Sequence, residues 1–396
     1  MVSTVAALFF STFIASIIHQ MRFSDIPGQT QIKDRLRRTV KEHRVSHAQL
    51  FLGPQGSGKL PMALAYAQFI NCHNRTEEDS CGVCPSCLQY SKLAHPDLHF
   101  LYPIATTKEF DSKPMSTMFL SHWRKIVPES KGFFTVNDWY EQIGMENKQG
   151  LINTEDCNEL IRKLSYTSYE SEYKVMIIWM IEKIHHTGAN KILKILEEPP
   201  DKTLFLLIAE QQELMLPTIL SRTQLVKFPR YSDEEIELGL IALKGCSTEE
   251  ARNARFMADG NMTEALKIVE DGSSHEDLFI VFRDWMRVCF RKDMQTAVKM
   301  ASEFNSSGRE NMKKFLLYSL RITRFCTLNN FGLGDYVNTE GEEMKFINGF
   351  TPFINPKNVH LFAEEFNDAV YHIERNANGS LLFLDISLKA MKWLKM

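Results

Sequence analysis

Residues 49–59, Gln-Leu-Phe-Leu-Gly-Pro-Gln-Gly-Ser-Gly-Lys, place a short apolar run before a glycine-rich turn that ends in lysine. The turn has the spacing G-x-x-x-x-G-K, in which backbone N–H groups converge on phosphate oxygens and the lysine neutralises their charge. An apolar helix is predicted to follow over Lys59–Ile70. Strand, phosphate loop and helix in this order predict an α/β fold. They also predict a degenerate nucleotide-binding loop formed by Gly53, Gly56, Gly58 and Lys59.

Two further apolar runs predict buried strands. Val175–Ile178 and Thr203–Ala209 lack the polar alternation of a half-exposed strand, which is typical of strands covered on both faces. Apolar residues at helical spacing over 154–164 and 189–196 predict a helix before each run, and the prolines at 199 and 200 end the second helix. This alternation predicts a parallel, doubly wound sheet.

The strand pattern ends after Pro229. Residues 233–269 have the pattern of a small helical unit, and residues 275–396 that of long helices. Residues 103–152 mix aromatic residues, lysines and prolines without periodicity, and we interpret them as a solvent-exposed elaboration. We therefore predict an α/β domain over 21–230 with an insertion at 103–152, a small helical domain over 231–272 and a larger helical domain over 273–396.

The phosphate loop lacks residues that ATP hydrolysis needs. A serine or threonine hydroxyl should follow the lysine and hold the magnesium ion, but this position is Leu60. The strand at 175–178 should lead to an acidic pair for the metal and the attacking water, but it continues with Trp179 and Met180. Glu182 lies two residues further on. We predict that this chain does not hydrolyse ATP, while the sequence leaves open whether the loop binds nucleotide.

Four of the eight cysteines have the spacing C-x8-C-x2-C-x2-C, namely Cys72, Cys81, Cys84 and Cys87. Four thiolates can close a tetrahedral site around Zn²⁺ with no open position, which predicts a structural zinc module at 72–87. Unbound thiols and an iron–sulfur cluster are the alternatives. The other four, which are Cys157, Cys246, Cys289 and Cys326, are predicted to be core thiols of a cytoplasmic protein.

Charge excludes one class of function. A net charge of −3 over 396 residues, with lysines and arginines spread along the chain, does not fit an autonomous DNA-binding protein. Residues 2–18 are uncharged, but no lysine or arginine occurs before Arg22 and the stretch is shorter than the ~20 apolar residues of a membrane span. We expect residues 1–20 to be a leader outside the fold, and no association with a membrane.

Several short motifs precede and follow the phosphate loop in the sequence. They are 23–29 (FSDIPGQ), 95–97 (HPD), 196–200 (LEEPP) and 216–222 (LPTILSR). Together with the loop and the four cysteines, they resemble the delta-prime subunits of the bacterial DNA polymerase III clamp loader, a branch of the AAA+ proteins. The resemblance covers residues 21–230, and beyond them it rests on size and helical character.

This resemblance implies an AAA+ module over 21–230, a lid over 231–272 and a collar over 273–396 that joins other subunits. It implies a hetero-pentamer with gamma/tau-type and delta-type subunits, which loads the sliding clamp on primed DNA during replication by DNA polymerase III. Subunits of this type act as a rigid stator, while neighbouring subunits bind and hydrolyse ATP. The family's Ser-Arg-Cys motif matches Ser221-Arg222-Thr223, so Arg222 is expected to reach a neighbour's ATP, although Thr223 departs from the pattern.

Two other classes of function stay open. An ATP-hydrolysing motor of the gamma/tau type would need the hydroxyl and acidic pair that Leu60, Trp179 and Met180 replace. A nucleotide kinase on a phosphate-loop fold lacks the same groups and leaves the Ser-Arg motif unexplained. Without that motif, Arg222 would be interpreted as a surface residue.

Overall fold

The computed structural model describes residues 21–396 except 111, 113, 146–148, 165–167, 272–274, 335, 336, 338 and 340. Residues 1–20, the predicted leader, lie outside the described residues. The chain divides into two compact units. The first comprises the described residues up to Ala251 together with Ala258–Lys267, and the second comprises Arg252–Met257 and Ile268–Met396.

The first unit is built on a five-stranded sheet in which the described strand pairs are all parallel. The strands are β1 (Ala48–Leu52), β2 (Leu98–Leu101), β3 (Lys174–Trp179), β4 (Thr203–Ala209) and β5 (Gln224–Lys227), in the order β2-β3-β4-β1-β5. The phosphate loop therefore leaves the carboxyl end of an interior strand. The predicted parallel sheet and its three buried strands are confirmed, whereas β2 and β5 are additional to the prediction.

The helices of the first unit cover this sheet and continue beyond it. They are α1 (Thr30–Lys41), α2 (Lys59–Ile70), α3 (Pro85–Ser91), α4 (Leu120–Glu129), α5 (Val136–Gln142), α6 (Thr154–Leu164), α7 (His186–Glu197), α8 (Pro217–Leu220), α9 (Asp233–Lys244), α10 (Thr248–Ala258) and α11 (Met262–Asp271). Both α10 and α11 also contribute residues to the second unit. Serine caps fix the starts of α9 and α10, because Ser232 and Ser247 accept hydrogen bonds from backbone N–H groups three residues on.

Side chains of β4 alternate between two hydrophobic cores, one on each face of the sheet. Leu204, Leu206 and Ile208 join the core that includes α2. Phe205, Leu207 and Ala209 join the core that includes α6 and α7. Since successive side chains of a strand point to opposite faces, the unbroken apolar run reflects a sheet covered on both sides.

The interpretation of residues 103–152 as a solvent-exposed elaboration is wrong. The segment contains α4 and α5, and the side chains of Trp123 and Trp139 are fully buried. The Trp123 ring stacks on Tyr102 with centroids 4.3 Å apart and lies 5.5 Å from the ring of Trp179 at the end of β3. These aromatic residues show no periodicity because they pack against partners far along the chain rather than along one helix face.

The second unit consists of helices and connecting turns, with no strand among its described residues. Its own helices are α12 (His275–Arg291), α13 (Met294–Ser306), α14 (Arg309–Asn330), α15 (Gly341–Phe350), α16 (Val359–Glu374) and α17 (Gly379–Trp393). Aromatic residues fill its core: Phe304 stacks on Phe383 at 4.3 Å, and the indole N–H of Trp285 donates to Ser387 Oγ at 2.8 Å. This confirms the predicted change from an α/β module to helices.

Three of the four scattered cysteines are core thiols, as predicted. Cys157, Cys289 and Cys326 are fully buried. Cys246 is half-buried in the loop after α9, so the prediction is wrong at that position.

Candidate functional site

The phosphate loop has backbone that only glycine adopts readily. Gly56 and Gly58 have φ of +71° and +82°, in the left-handed region. A side chain on Gly53 would also collide with the residue that follows β5, since a Cβ there would lie 2.3 Å from the carbonyl oxygen of Phe228. The turn predicted from the glycine spacing is therefore present between β1 and α2.

Lys59 is bonded to the loop itself. Its side chain is only 6% exposed, and its Nζ donates to the carbonyl oxygens of Gly53 at 2.7 Å and Pro54 at 2.5 Å. Burial lowers the pKa of Lys59 to about 8, and the nearby Glu210 and Glu182 carboxylates oppose this effect without cancelling it. The ammonium of Lys59 is thus bonded to carbonyl oxygens of its own loop.

Two carboxylates lie beside this lysine. Glu210, directly after β4, has Oε1 4.0 Å from Lys59 Nζ, and its backbone N–H donates to Glu182 Oε1 at 2.7 Å. Burial raises the pKa of both carboxyl groups. Glu182 was noted from the sequence, whereas Glu210 was not. The position of Glu210 in the sequence could have indicated its role. An acidic residue that directly follows a buried parallel strand lies at the same edge of the sheet as the loop.

The positions that should carry metal ligands are apolar and buried. Leu60 is 3% exposed in α2, and Trp179 and Met180 belong to the same hydrophobic core. The Trp179 ring packs 5.0 Å from the ring of Phe134 in the 103–152 segment. Hydrocarbon and indole groups offer no oxygen to Mg²⁺, so these three positions cannot supply the usual metal shell.

Residues after β5 cover the loop. A Cβ on Gly58 would lie 2.2 Å from Tyr231 Oη, and one on Gly56 would lie 1.7 Å from Asn261 Oδ1. The backbone N–H of Met262 donates to the carbonyl oxygen of Gly56 at 3.2 Å. The chain after β5 therefore contacts the phosphate loop through two loop residues and through Met262, the first residue of α11.

The four cysteines of the 72–87 segment come together as predicted. The Sγ atoms of Cys72, Cys81, Cys84 and Cys87 all lie within 4.8 Å of one another. Four sulfurs at ~2.3 Å from a tetrahedral zinc ion would be about 3.8 Å apart. The cluster could therefore hold a metal ion such as zinc, with thiolates as the only ligands. His73, next to Cys72 in sequence, does not belong to this cluster.

Backbone N–H groups support the thiolates. The backbone N–H of Cys81 donates to Cys72 Sγ at 3.3 Å. The backbone N–H of Cys84 donates to Cys81 Sγ, also at 3.3 Å. Burial raises the pKa of Cys81, but hydrogen bonds from the backbone of Val83 and Cys84 outweigh it, and the pKa falls to about 7. Such donors stabilise the anionic sulfur that binds a metal.

The cysteine segment also holds the first described residues. The carboxylate of Asp79 accepts from the backbone N–H groups of Phe23 at 3.1 Å and Ser24 at 2.8 Å. Phe23 is fully buried, and its ring lies 5.4 Å from that of Phe69 in α2. A metal that stiffens the segment would thus also fix the residues that lead into α1.

Arg222 lies two residues after the short helix α8, on the surface of the first unit. Its side chain is 34% exposed and its Nη2 pairs with Glu197 Oε1 at the end of α7. Its Nη1 donates to the carbonyl oxygen of Thr218 at 3.0 Å and to Ser221 Oγ at 3.4 Å. Within the chain, the guanidinium is thus oriented from two sides and remains accessible.

Among the residues that the structure describes, no helix combines the length and apolar character needed to cross a bilayer.

A glycine-rich loop with phosphate-loop spacing after an interior strand of a parallel sheet, with residues that follow β5 packed against that loop, places the first unit in the class of α/β modules built on a parallel sheet. The model of a family described as DNA polymerase III, delta subunit, matches residues 28–232. This match takes in more than half of the 396 residues, and the chain belongs to that family.

Individual relatives agree with this assignment. The DNA polymerase III subunit delta' of Bacillus subtilis is 29% identical over 240 residues, which are 61% of this chain and 59% of the relative. The gamma/tau subunit of Mycobacterium bovis is 27% identical over 201 residues, which are 51% of this chain and 27% of the relative. The chain thus spans less than two thirds of either relative.

The chain is also similar to solved structures. A DNA polymerase III gamma subunit-related protein from Thermotoga maritima has 14% sequence identity and a TM-score of 0.41, over 91% of this chain and 99% of that chain.

Proposed function

We propose that this chain is a delta-prime-like subunit of a DNA polymerase III clamp loader. In this proposal it hydrolyses no ATP, serves as a stator in a hetero-pentamer with gamma/tau-type and delta-type subunits, and helps to place the sliding clamp on primed DNA. It presents Arg222 to ATP bound by a neighbouring subunit.

One observation carries the absence of hydrolysis. The phosphate loop keeps its glycines and Lys59, but Leu60, Trp179 and Met180 are buried in hydrophobic core where hydrolysis needs oxygen ligands. The lysine bonds its own loop, and two carboxylates lie beside it. A bound phosphate would have to displace those carbonyls and would meet negative charge, so nucleotide binding is disfavoured as well.

The surface position of Arg222 supports the proposed role in trans. The short helix before it fixes its backbone, and the guanidinium stays accessible at the surface. Offered to a neighbour's ATP, an arginine stabilises the charge that develops on the transferred phosphoryl group. Thr223, which replaces the cysteine of the family motif, is bonded to α8, because its Oγ1 donates to the carbonyl oxygen of Ile219 at 3.0 Å.

A motor subunit of the gamma/tau type is the second candidate, and Glu182 is the observation that favours it. Glu182 lies close to Lys59, and its Oε2 has no hydrogen-bond partner among the described residues. However, Glu182 Oε1 is bonded to the backbone of Glu210, and Leu60 still offers no hydroxyl for the metal. One carboxylate does not replace the missing ligands.

The cysteine cluster is proposed to hold one structural Zn²⁺. The ligands would be Cys72, Cys81, Cys84 and Cys87, and the ion would cross-link a segment with few apolar residues of its own. A set of four thiolates leaves no open coordination position, which fits a structural role better than a catalytic one.

Assembly tests the proposal as a whole. The full chain should co-purify with gamma/tau-type and delta-type subunits as a stoichiometric complex, measured by native mass spectrometry. Omitting the chain should abolish clamp loading on primed DNA. Assembly and loading at an unchanged rate without this chain would contradict the proposed function.

A further inference from the structure

A turn of the 103–152 segment reaches the phosphate loop. Gly132 has φ +76°, and a Cβ on it would lie 3.1 Å from Cδ of Pro61 in the first turn of α2. The ring of Phe133 approaches Gly58, whose added Cβ would be 3.7 Å away, and lies 6.5 Å from the ring of Tyr231. The turn therefore lies between α2 and the first residues after β5.

Polar contacts join the same turn to the helices that follow β5. Lys131 Nζ donates to the carbonyl oxygen of Leu243 in α9. Lys267 Nζ in α11 pairs with Asp138 Oδ1 at 2.6 Å, and both side chains are partly buried. Two helices are thus bonded to one stretch of eight residues, at its two ends, Lys131 and Asp138.

The segment is suited to hold these helices because its own parts are fixed. Asp138 is part of a capping box: its Oδ2 accepts from the backbone N–H of Thr135 at 2.7 Å, so the carboxylate is oriented before Lys267 reaches it. Beneath the turn, the indole N–H of fully buried Trp139 donates to the carbonyl oxygen of Pro103 at 2.8 Å. Trp139 also packs 5.3 Å from Trp123, so the base is part of the sheet's core.

We propose that residues 130–138 form an internal clamp that fixes α9 and α11 and thereby holds the residues just before them, Tyr231 and Asn261, against the phosphate loop. A ligand in the loop would touch both the loop and its cover, because Tyr231, Asn261 and Met262 lie against the glycines. Residues 130–138 connect the same two parts, the phosphate loop and the residues after β5, without a ligand. The position of these helices therefore does not depend on nucleotide.

The clamp would make the proposed stator rigid, and only this role of the clamp rests on the proposed function. The contacts themselves all lie within the first unit. They can therefore be tested on the full chain without the other subunits. ATP hydrolysis by the chain would contradict the proposed function and leave the clamp measurement unaffected.

Hydrogen–deuterium exchange on the full chain tests the clamp. Lys131→Met with Lys267→Met removes both ammonium groups and keeps side-chain length. Exchange in α9 and over 262–267 should become about threefold to tenfold faster, while β1, β3 and β4 keep their protection. Lys267→Arg retains the ion pair and should exchange as the unmodified chain does. Lys41→Met is the matched control, since Lys41 pairs with Glu77 in an exposed ion pair away from the clamp.

Unchanged protection of α9 and 262–267 in the double variant would overturn the clamp. Faster exchange spread equally over the strands would also overturn it, because the two contacts would then stabilise the whole unit instead of holding these helices.

Discussion

Arg222 and Glu197 form an ion pair that joins the residues after α8 to the end of α7. Glu197 is the last residue of α7, where the helix dipole is negative and a carboxylate is unfavourable unless a cation pairs with it. The same guanidinium donates to the carbonyl oxygen of Thr218. An arginine proposed to act on a neighbour's ATP is therefore held by its own chain, and it must leave Glu197 to bind phosphate.

Glu197→Gln should release this hold. Exposed ion pairs contribute about 0–1 kcal/mol, so the free energy of unfolding of the isolated chain should change by less than about 1 kcal/mol. In the assembled loader, the KM for ATP should fall roughly twofold to fivefold, because the arginine no longer exchanges a carboxylate for phosphate. The double variant with Arg222→Ala is the control and should show no effect of Glu197→Gln. A loss of turnover like that of Arg222→Ala would instead mean that Glu197 orients the arginine.

Zinc content tests the cysteine cluster. Protein purified without added metal should contain about one zinc per chain, and Cys84→Ser should lower this content strongly. Chelation should lower the midpoint of thermal unfolding by roughly 5 °C or more, since metal bound only to the folded state stabilises it. Cys246→Ser, outside the cluster, is the matched control and should keep its zinc. Negligible metal with four freely titrating thiols would rule the site out.

Lys59 should give stability a characteristic pH dependence. Its pKa is lowered from 10.5 to about 8 mainly by burial. Between pH 8 and 10.5, Lys59 is protonated in the unfolded chain and deprotonated in the folded chain. The free energy of unfolding therefore rises with pH over this range. Relative to Lys59→Met, the unmodified chain should gain at most about 3 kcal/mol from pH 8 to 10.5 and nothing further outside this window. Urea unfolding of both proteins over this range measures the difference, and a constant difference would show that Lys59 is not shifted.

The isolated chain should show no ATPase activity above background. Leu60, Trp179 and Met180 leave the loop without magnesium ligands, so Lys59→Ala should make no difference. Steady-state phosphate release at millimolar ATP is the measurement. Turnover that Lys59→Ala abolishes would identify a motor subunit.

The sequence predicts the parts of the fold that depend on local pattern. β1, β3 and β4 are unbroken apolar runs because both faces of the sheet are covered, and they were predictable for that reason. β2 and β5 were not, since each has four residues and β5 exposes Gln224 and Lys227. Short strands of mixed polarity resemble loops.

The candidate site was only partly predictable for a related reason. The glycines, Lys59 and the cysteines lie close together in sequence, so their spacing indicates their chemistry. Glu210 lies beside Lys59 only because β4 pairs with β1. The burial of Trp123 likewise depends on Trp179, which is remote in sequence. Contacts between distant segments have no local signal.

Arg222→Ala in a reconstituted loader tests the central claim most directly. Folding, zinc content and assembly should be unchanged, while DNA- and clamp-stimulated ATP hydrolysis and clamp loading should fall. The loss at the one site served should be about 10³-fold or more, and smaller in total turnover because the other sites keep working. Arg222→Lys should rescue little, since an ammonium lacks the planar fork of a guanidinium. An assembled Arg222→Ala complex that hydrolyses ATP and loads clamps at the unmodified rate would contradict the proposed role in trans.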